Sequence, residues 1–278
     1  MSIALEITAP PTPPSLGRIA GEAPRLIKDM LSLTDCRWRE QLKKAAAGNG
    51  QPVMTLPGFG GGDGSMALLR RYLNSLGYRA EPWRLGTNLV QDKVQTLDEI
   101  LVFCSTMEAA IVENAQRIAD QCGDKVSLIG WSLGGVYANS IAQTHPELIR
   151  QVILLGSPVG DPRGTSVWGL MKKVMRGEIP DHLQNVDAWI ARRDKLGGRH
   201  VRTSVLYSKY DGAVAEDAVI IENDKLVENI HVASSHVGFS HNASVYWAIA
   251  DRLNQSLANW KPFDYTTLPE KLQKNFIV

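Results

Sequence analysis

The chain has almost no net charge, few cysteines and no long apolar run, and each shortage removes a class of function. Its 30 Lys and Arg residues stand against 29 Asp and Glu, for a formal charge of +1. The basic residues gather into no long block, so nothing marks a nucleic-acid binder. The three cysteines, Cys36, Cys104 and Cys122, are odd in number and widely spaced. They form neither a CxxC pair nor a Cys/His metal spacing, which argues against a disulfide framework and a zinc site and suits free thiols in a reducing compartment. No segment approaches the roughly 18 uninterrupted apolar residues of a membrane span, so no stable membrane insertion is expected. The opening MSIALEITAPPTPPSLGR has no basic start, no long apolar stretch and no small-residue cleavage site, so it does not read as a signal peptide. A cytoplasmic location is the expectation. Internal repeats are absent too, and the sequence sets no oligomeric state.

What is present is ordinary for a globular protein, with 44% hydrophobic and 21% charged residues. Residues 1–24 hold Pro10, Pro11, Pro13, Pro14 and Pro24, which disfavour helix and predict an extended arm. Arg25 to Ala47 reads as a helix whose apolar positions include Leu26, Met30, Trp38 and Leu42, with the interleaved charges as a solvated face. These two pieces are taken as an N-terminal extension over 1–50.

Beyond Gly50, short β-like runs alternate with longer helical ones. Strands are predicted at 52–56, 78–83, 125–130, 151–155, 203–207 and 227–233. Helices are predicted at 64–77, 108–121, 133–144 and 242–259. Such alternation implies an α/β fold with a mostly parallel sheet, helices on both faces and sites at the carboxyl ends of the strands. The core is thus expected over 51–156 and 202–278, interrupted by an insertion at 157–201.

Gly130-Trp131-Ser132-Leu133-Gly134 fits the G-x-S-x-G nucleophile elbow. With Gly and Ser each about 7% of residues, the bare pattern arises by chance in roughly one chain in ten of this length. Here it falls between a strand and a helix, where the motif needs it. A serine on a strained strand-to-helix turn is held up for attack, and flanking side chains would collide. The alternative is a tight βα turn with a buried serine.

A serine nucleophile needs a base held by a carboxylate, in the chain order Ser, Asp or Glu, His. Of the late histidines, His231 falls within a predicted strand and His241 opens the last helix. His236, in the loop after the last strand, is the favoured base, with His241 next. Asp211 follows the strand TSVLY and is the favoured acid, although an Asp-Gly turn is common anywhere; Asp224 and Glu222 are the alternatives. The oxyanion hole needs backbone N–H groups, and those of Leu133 and of Phe59, in Pro57-Gly58-Phe59-Gly60, are the candidates. That glycine run lacks both Gly-Lys-Ser/Thr and a G-x-G-x-x-G opening with a downstream acid, so it is a poor nucleotide site.

PGFGGGDGS with the LRRYLNSLGY helix, then GWSLGG, YSKYDG and VASSHVG, occur in an order that resembles the α/β-hydrolases of the esterase/lipase kind, over roughly residues 50–260. The resemblance implies nucleophile Ser132, acid Asp211, base His236, oxyanion donors Phe59 and Leu133, and a sheet reduced to about six strands. The first 50 residues do not read as the two antiparallel strands that open larger members. Where many such enzymes carry a cap, 157–201 shows helical stripes at Val167–Met175 and Leu183–Ile190 that would either pack on the core or enclose an apolar pocket. Trp131, Trp168 and Met171 are the expected substrate contacts; a membrane-surface role for 167–176 is a weaker reading. The expected activity is hydrolysis of a small-molecule or lipid-like carboxylic ester through an acyl-enzyme, without metal or cofactor. An acyltransferase or thioesterase with the same triad, or a binding module on this fold, are the rivals.

Overall fold

In the computed structural model, residues 11–89, 97–166, 199–222 and 224–277 are described. The first described elements are three helices, α1 (Leu16–Ala20), α2 (Glu22–Ser32) and α3 (Cys36–Lys44). Strand β1 (Pro52–Leu56), a 3₁₀ turn (Asp63–Met66), α4 (Ala67–Ser75) and β2 (Arg79–Pro82) follow. Next come α5 (Leu97–Cys122), β3 (Val126–Trp131), α6 (Leu133–Thr144) and β4 (Ile149–Leu155). The described chain closes with β5 (Arg202–Tyr207), α7 (Glu216–Val219), β6 (Val227–His231), α8 (Ala243–Asn254) and α9 (Glu270–Gln273).

The six strands form one sheet in the order β2-β1-β3-β4-β5-β6, and every pairing is parallel. Strands covered on both faces read as mostly apolar runs, and every residue of β1 and β3 is buried, Thr55 and Ser127 included. Alternation then sorts the side chains between two cores. Met54, Leu128, Val152 and Leu154 pack with Ile111, Ile118 and Ile141 of α5 and α6 on one face. Val53, Ile129, Ile153 and Leu155 pack on the other with Trp38 and Leu42 of α3, Leu69 and Leu73 of α4, and Ile249 of α8. The strand order reverses at β1 and β3, and the crevice at such a point, beyond the carboxyl ends, is where ligands bind in open α/β sheets.

Several elements differ from the sequence reading. The Pro-rich arm is helical from Leu16, and Pro24 sits inside the first turn of α2. A proline there forfeits no helical bond, because first-turn N–H groups have no intrahelical partner. The single helix over 25–47 is two: the chain turns at Leu33–Asp35, and the Asp35 carboxylate accepts the Arg37 N–H at 2.9 Å to cap α3. Trp38, Leu42 and the C-terminal Phe276 share one core with the sheet, so the N-terminal helices pack as a layer of the main body. Helix α5 begins well ahead of residue 108; Val102 is 63% exposed, which breaks the amphipathic pattern that would have shown it. The closing helix stops at Asn254 rather than 259, leaving Leu257 partly exposed. Both described ends of the insertion are pinned. Thr165 bridges antiparallel to Val214, and Ser166 N–H donates to the Ala213 carbonyl at 2.8 Å. Arg199 bonds Asp224 at 2.9 Å and Asn139 at 2.8 Å. Among the described residues, no helix is long and apolar enough to cross a membrane.

Candidate active site

Ser132 joins β3 to α6 with φ 52° and ψ −122°. A non-glycine residue at positive φ is strained, and here bonds on both sides hold it. Its N–H donates to the Leu155 carbonyl at 3.0 Å, and its own carbonyl accepts from Gly135 N–H at 3.0 Å. The flanking glycines are there for space. A Cβ on Gly130 would stand 2.5 Å from Gly135 N, and one on Gly134 would stand 2.6 Å from the Pro57 carbonyl oxygen. A Cβ on Gly58 would sit 3.0 Å from the Ser132 Cβ, so the loop after β1 lies directly against the serine.

The structure brings the three residues of the expected triad together. His236 Nε2 lies 3.0 Å from Ser132 Oγ, and His236 Nδ1 lies 2.8 Å from Asp211 Oδ2. With Nδ1 protonated toward the carboxylate, Nε2 is left free to accept the serine proton. Asp211 is fixed by its other oxygen, which accepts the N–H groups of Ala213 at 2.7 Å and Val214 at 2.8 Å. Burial pushes the His236 imidazole pKa down and is the largest single influence. The Asp211 charge and hydrogen bond, with the Glu22 charge behind them, outweigh it, and the net shift is upward from the usual histidine value.

The alternative bases and acids stand apart from this chain of bonds. His231 is buried in β6 with its ring 5.5 Å from that of Tyr207. His241 Nδ1 lies 2.8 Å from Ser240 Oγ. Asp224 pairs with Arg199 at 2.9 Å, and Glu222 is exposed. Trp131, expected against substrate, is only 8% exposed. Its indole N–H donates to the His236 carbonyl at 3.0 Å, so its visible contact supports the base loop. Trp168 and Met171 lie outside the described residues.

Phe59 is half exposed on the loop after β1, and Leu133 is the first residue of α6, where N–H groups point out of the helix end. Asn88 steadies the Phe59 loop: its side-chain amide donates to the Pro57 carbonyl at 2.7 Å, its carbonyl accepts Gly60 N–H at 2.8 Å, and its N–H reaches the Gly61 carbonyl at 2.7 Å.

The sequence reading missed two acids on one face of α2. Glu22 accepts the backbone N–H of Gly212 at 2.7 Å and of His236 at 3.0 and 3.1 Å. Two turns further on, buried Asp29 accepts Ser235 N–H at 2.9 Å, Ser235 Oγ–H at 2.6 Å and the Asn242 amide at 2.8 Å. Burial is the main reason the Asp29 pKa is raised, against the lowering effect of those donors. The helix thus turns both carboxylates inward, where Glu22 was expected in an extended arm and Asp29 on a solvated face. A local signal for Glu22 does exist, since an acid in a first turn suits the helix dipole, but that signal points to the helix and not to the loops.

No family model matches the sequence. Solved structures do match the fold. Est1E from Butyrivibrio proteoclasticus, with ferulic acid bound, is similar at a TM-score of 0.57 and 14% identity, over 76% of this chain and 92% of that one. A metagenome-derived lipolytic enzyme matches at 0.53 and 17% identity, over 75% and 93%. A Bacillus licheniformis lipase in mature form matches at 0.52 and 17%, again over 75% and 93%. With the parallel six-stranded sheet and the elbow at its strand reversal, these likenesses define the class: the chain has the α/β-hydrolase fold. At this level of identity they speak to the fold, and the reaction has to be argued from the site.

Proposed function

We propose that this protein is a carboxylic ester hydrolase that works through an acyl-enzyme. The observation that carries the reading is the unbroken hydrogen-bond chain from Ser132 Oγ through His236 to Asp211, ending at a serine held in strained backbone. Ser132 Oγ attacks the ester carbonyl carbon while His236 Nε2 takes its proton. The N–H groups of Phe59 and Leu133 receive the negative oxygen of the tetrahedral intermediate. Its collapse breaks the C–O bond to the alcohol, which leaves with the proton from His236. Water then attacks the acyl-serine and gives a proton to His236, which passes it to Ser132 Oγ as the acyl C–O bond breaks, releasing the acid and the free serine. Asp211 holds the imidazole in the required tautomer and stabilises the imidazolium. This sequence consumes only ester and water and needs neither metal nor cofactor.

An apolar acyl or alcohol part is favoured by the surroundings. Phe59 stands 51% exposed on the proposed oxyanion loop, and Val237, next to the base, is 38% exposed. A panel of p-nitrophenyl esters of increasing acyl length tests the reading. Turnover is expected for wild type and loss of about 10⁴-fold or more for Ser132→Ala, together with loss of labelling by a serine-directed organophosphonate. Wild-type protein that neither turns over these esters nor takes the label would refute it. Adding alcohols, amines or thioesters to the assay separates hydrolysis from acyl transfer and thioester cleavage.

A further inference from the structure

The triad's acid and base come from two different loops, and a triad works only if these stay in register; a displacement of 1 Å can lower the rate by about 10²-fold. Two features near the site bear on this. The first is the pair of inward carboxylates on α2. Glu22 alone reaches both loops, accepting from Gly212, the residue after the acid, and from the N–H of the base itself. The second is close backbone approach at a glycine in each loop. A Cβ on Gly212 would stand 2.6 Å from the Arg18 carbonyl oxygen and 2.7 Å from Glu22 Cγ; one on Gly238 would meet Asp29 Cγ at 2.7 Å, with Asp29 Oδ2 closer still. Both loops are therefore shaped to receive the N-terminal helices. Arg25 adds a further tie, donating to the Arg18 carbonyl at 2.9 Å and the Tyr210 carbonyl at 3.1 Å.

We propose that Glu22 is a positioning residue of the active site: its carboxylate clamps the acid loop to the base loop, with Asp29 anchoring the far side of the base loop. The inference rests on the hydrolase reading above. One carboxylate spanning two backbone N–H groups about 190 and 214 positions away adds, beside the direct Ser208–Ser234 tie at the strand ends, a bond to the base residue itself from outside the triad. Glu22 also sets a second negative charge near the imidazole. Asp211 and Glu22 are the charged groups whose fields raise the His236 pKa, against the burial that lowers it.

The test uses the full chain with Glu22→Ala and Glu22→Gln. Rates are measured on p-nitrophenyl butyrate and normalised by organophosphonate titration of active serine. Glu22→Ala is expected to lower kcat by about 10-fold to 10²-fold, with KM within about threefold. Glu22→Gln keeps a carbonyl oxygen where Oε1 now meets both N–H groups and is expected to recover most of that loss. Both variants remove the charge, so the His236 ring resonances should titrate at lower pH than in wild type. Unchanged kcat per titrated site and an unchanged imidazole midpoint in both variants would overturn the proposal, even if their melting temperatures fell, since that is the pattern of a merely structural acid. The imidazole titration needs no turnover. A wild type that neither turns over the ester nor takes the phosphonate would therefore defeat the hydrolase reading while the clamp is still judged on its own measurement.

Discussion

Replacing Gly134 by alanine asks how closely the nucleophile turn and the proposed oxyanion loop must approach. The new Cβ would stand 2.6 Å from the Leu56 carbonyl carbon and 2.6 Å from the Pro57 carbonyl oxygen, with the Leu56 oxygen closer still. All are main-chain atoms at the end of β1, so no rotamer change relieves them, and the strand end has to retreat by at least several tenths of an ångström. It is not free to do so. β1 is a central strand, paired with β2 on one side and β3 on the other, and the Pro57 carbonyl is already held by Asn88 at 2.7 Å. Overpacking costs about 1–3 kcal/mol, and contacts with immovable backbone place this one near about 3 kcal/mol. At about 2–4 °C per kcal/mol that is a fall of roughly 6–12 °C in Tm. The same retreat carries the Phe59 N–H away from Ser132, and losing one oxyanion donor costs about 10²–10³-fold in kcat. Thermal melting and kcat per titrated site measure the two effects separately. Gly135→Ala provides the contrast, because its Cβ meets the Ser157 side chain, at 2.6 Å from Ser157 Cβ, ahead of the Gly130 carbonyl at 3.0 Å. Adding Ser157→Gly should restore most of its stability, whereas no such partner exists for Gly134. A Gly134→Ala protein with wild-type Tm and kcat would refute the reasoning.

Two further outcomes are expected. Because the His236 pKa is raised in the folded protein, kcat/KM should rise with pH through a midpoint above the ordinary histidine value of about 6.5. The stability contributed by the imidazolium is complete below that value and is lost as pH rises through the raised pKa; opposite trends in kcat/KM and Tm across that window check the sign. Arg252 is 1% exposed, bonded to Glu228 at 2.6 Å and to Asp251, and stacked over Trp260 and Phe263; Arg252→Ala empties this buried site and leaves two partly exposed carboxylates without their partner, and should cost about 2–5 kcal/mol in chemical denaturation, without a change in kcat at temperatures where the protein stays folded.

The parts of this molecule that were legible in its sequence are those whose cause is local. The elbow could be read because a strand end, a serine and two glycines within one short segment serve a single steric demand. Asp211 and His236 could be read because each lies in the loop after a strand, and strand ends in a parallel sheet converge. Glu22 and Asp29 were not legible, since a carboxylate on an amphipathic helix looks the same whether it faces water or a loop some 200 residues away. Pro24 misled for the opposite reason: proline's effect depends on its place within a helix, and the start of α2 carries no side-chain cap to mark it. The break at Leu33–Asp35 had one faint sign, the capping aspartate, with neither glycine nor proline beside it.

The pinned ends of the insertion have a practical consequence for re-engineering. At one end Ser166 and Thr165 are tied to Ala213 and Val214, the same pair whose N–H groups seat Asp211; at the other, Arg199 is tied to α6 and to the turn before β6. Between these two anchored ends β4 and β5 pair in register, Gln151–Leu155 against Arg202–Leu206. A change of chain length between Ser166 and Arg199 therefore bears at one end on the backbone that seats Asp211 and at the other on α6 and the turn before β6.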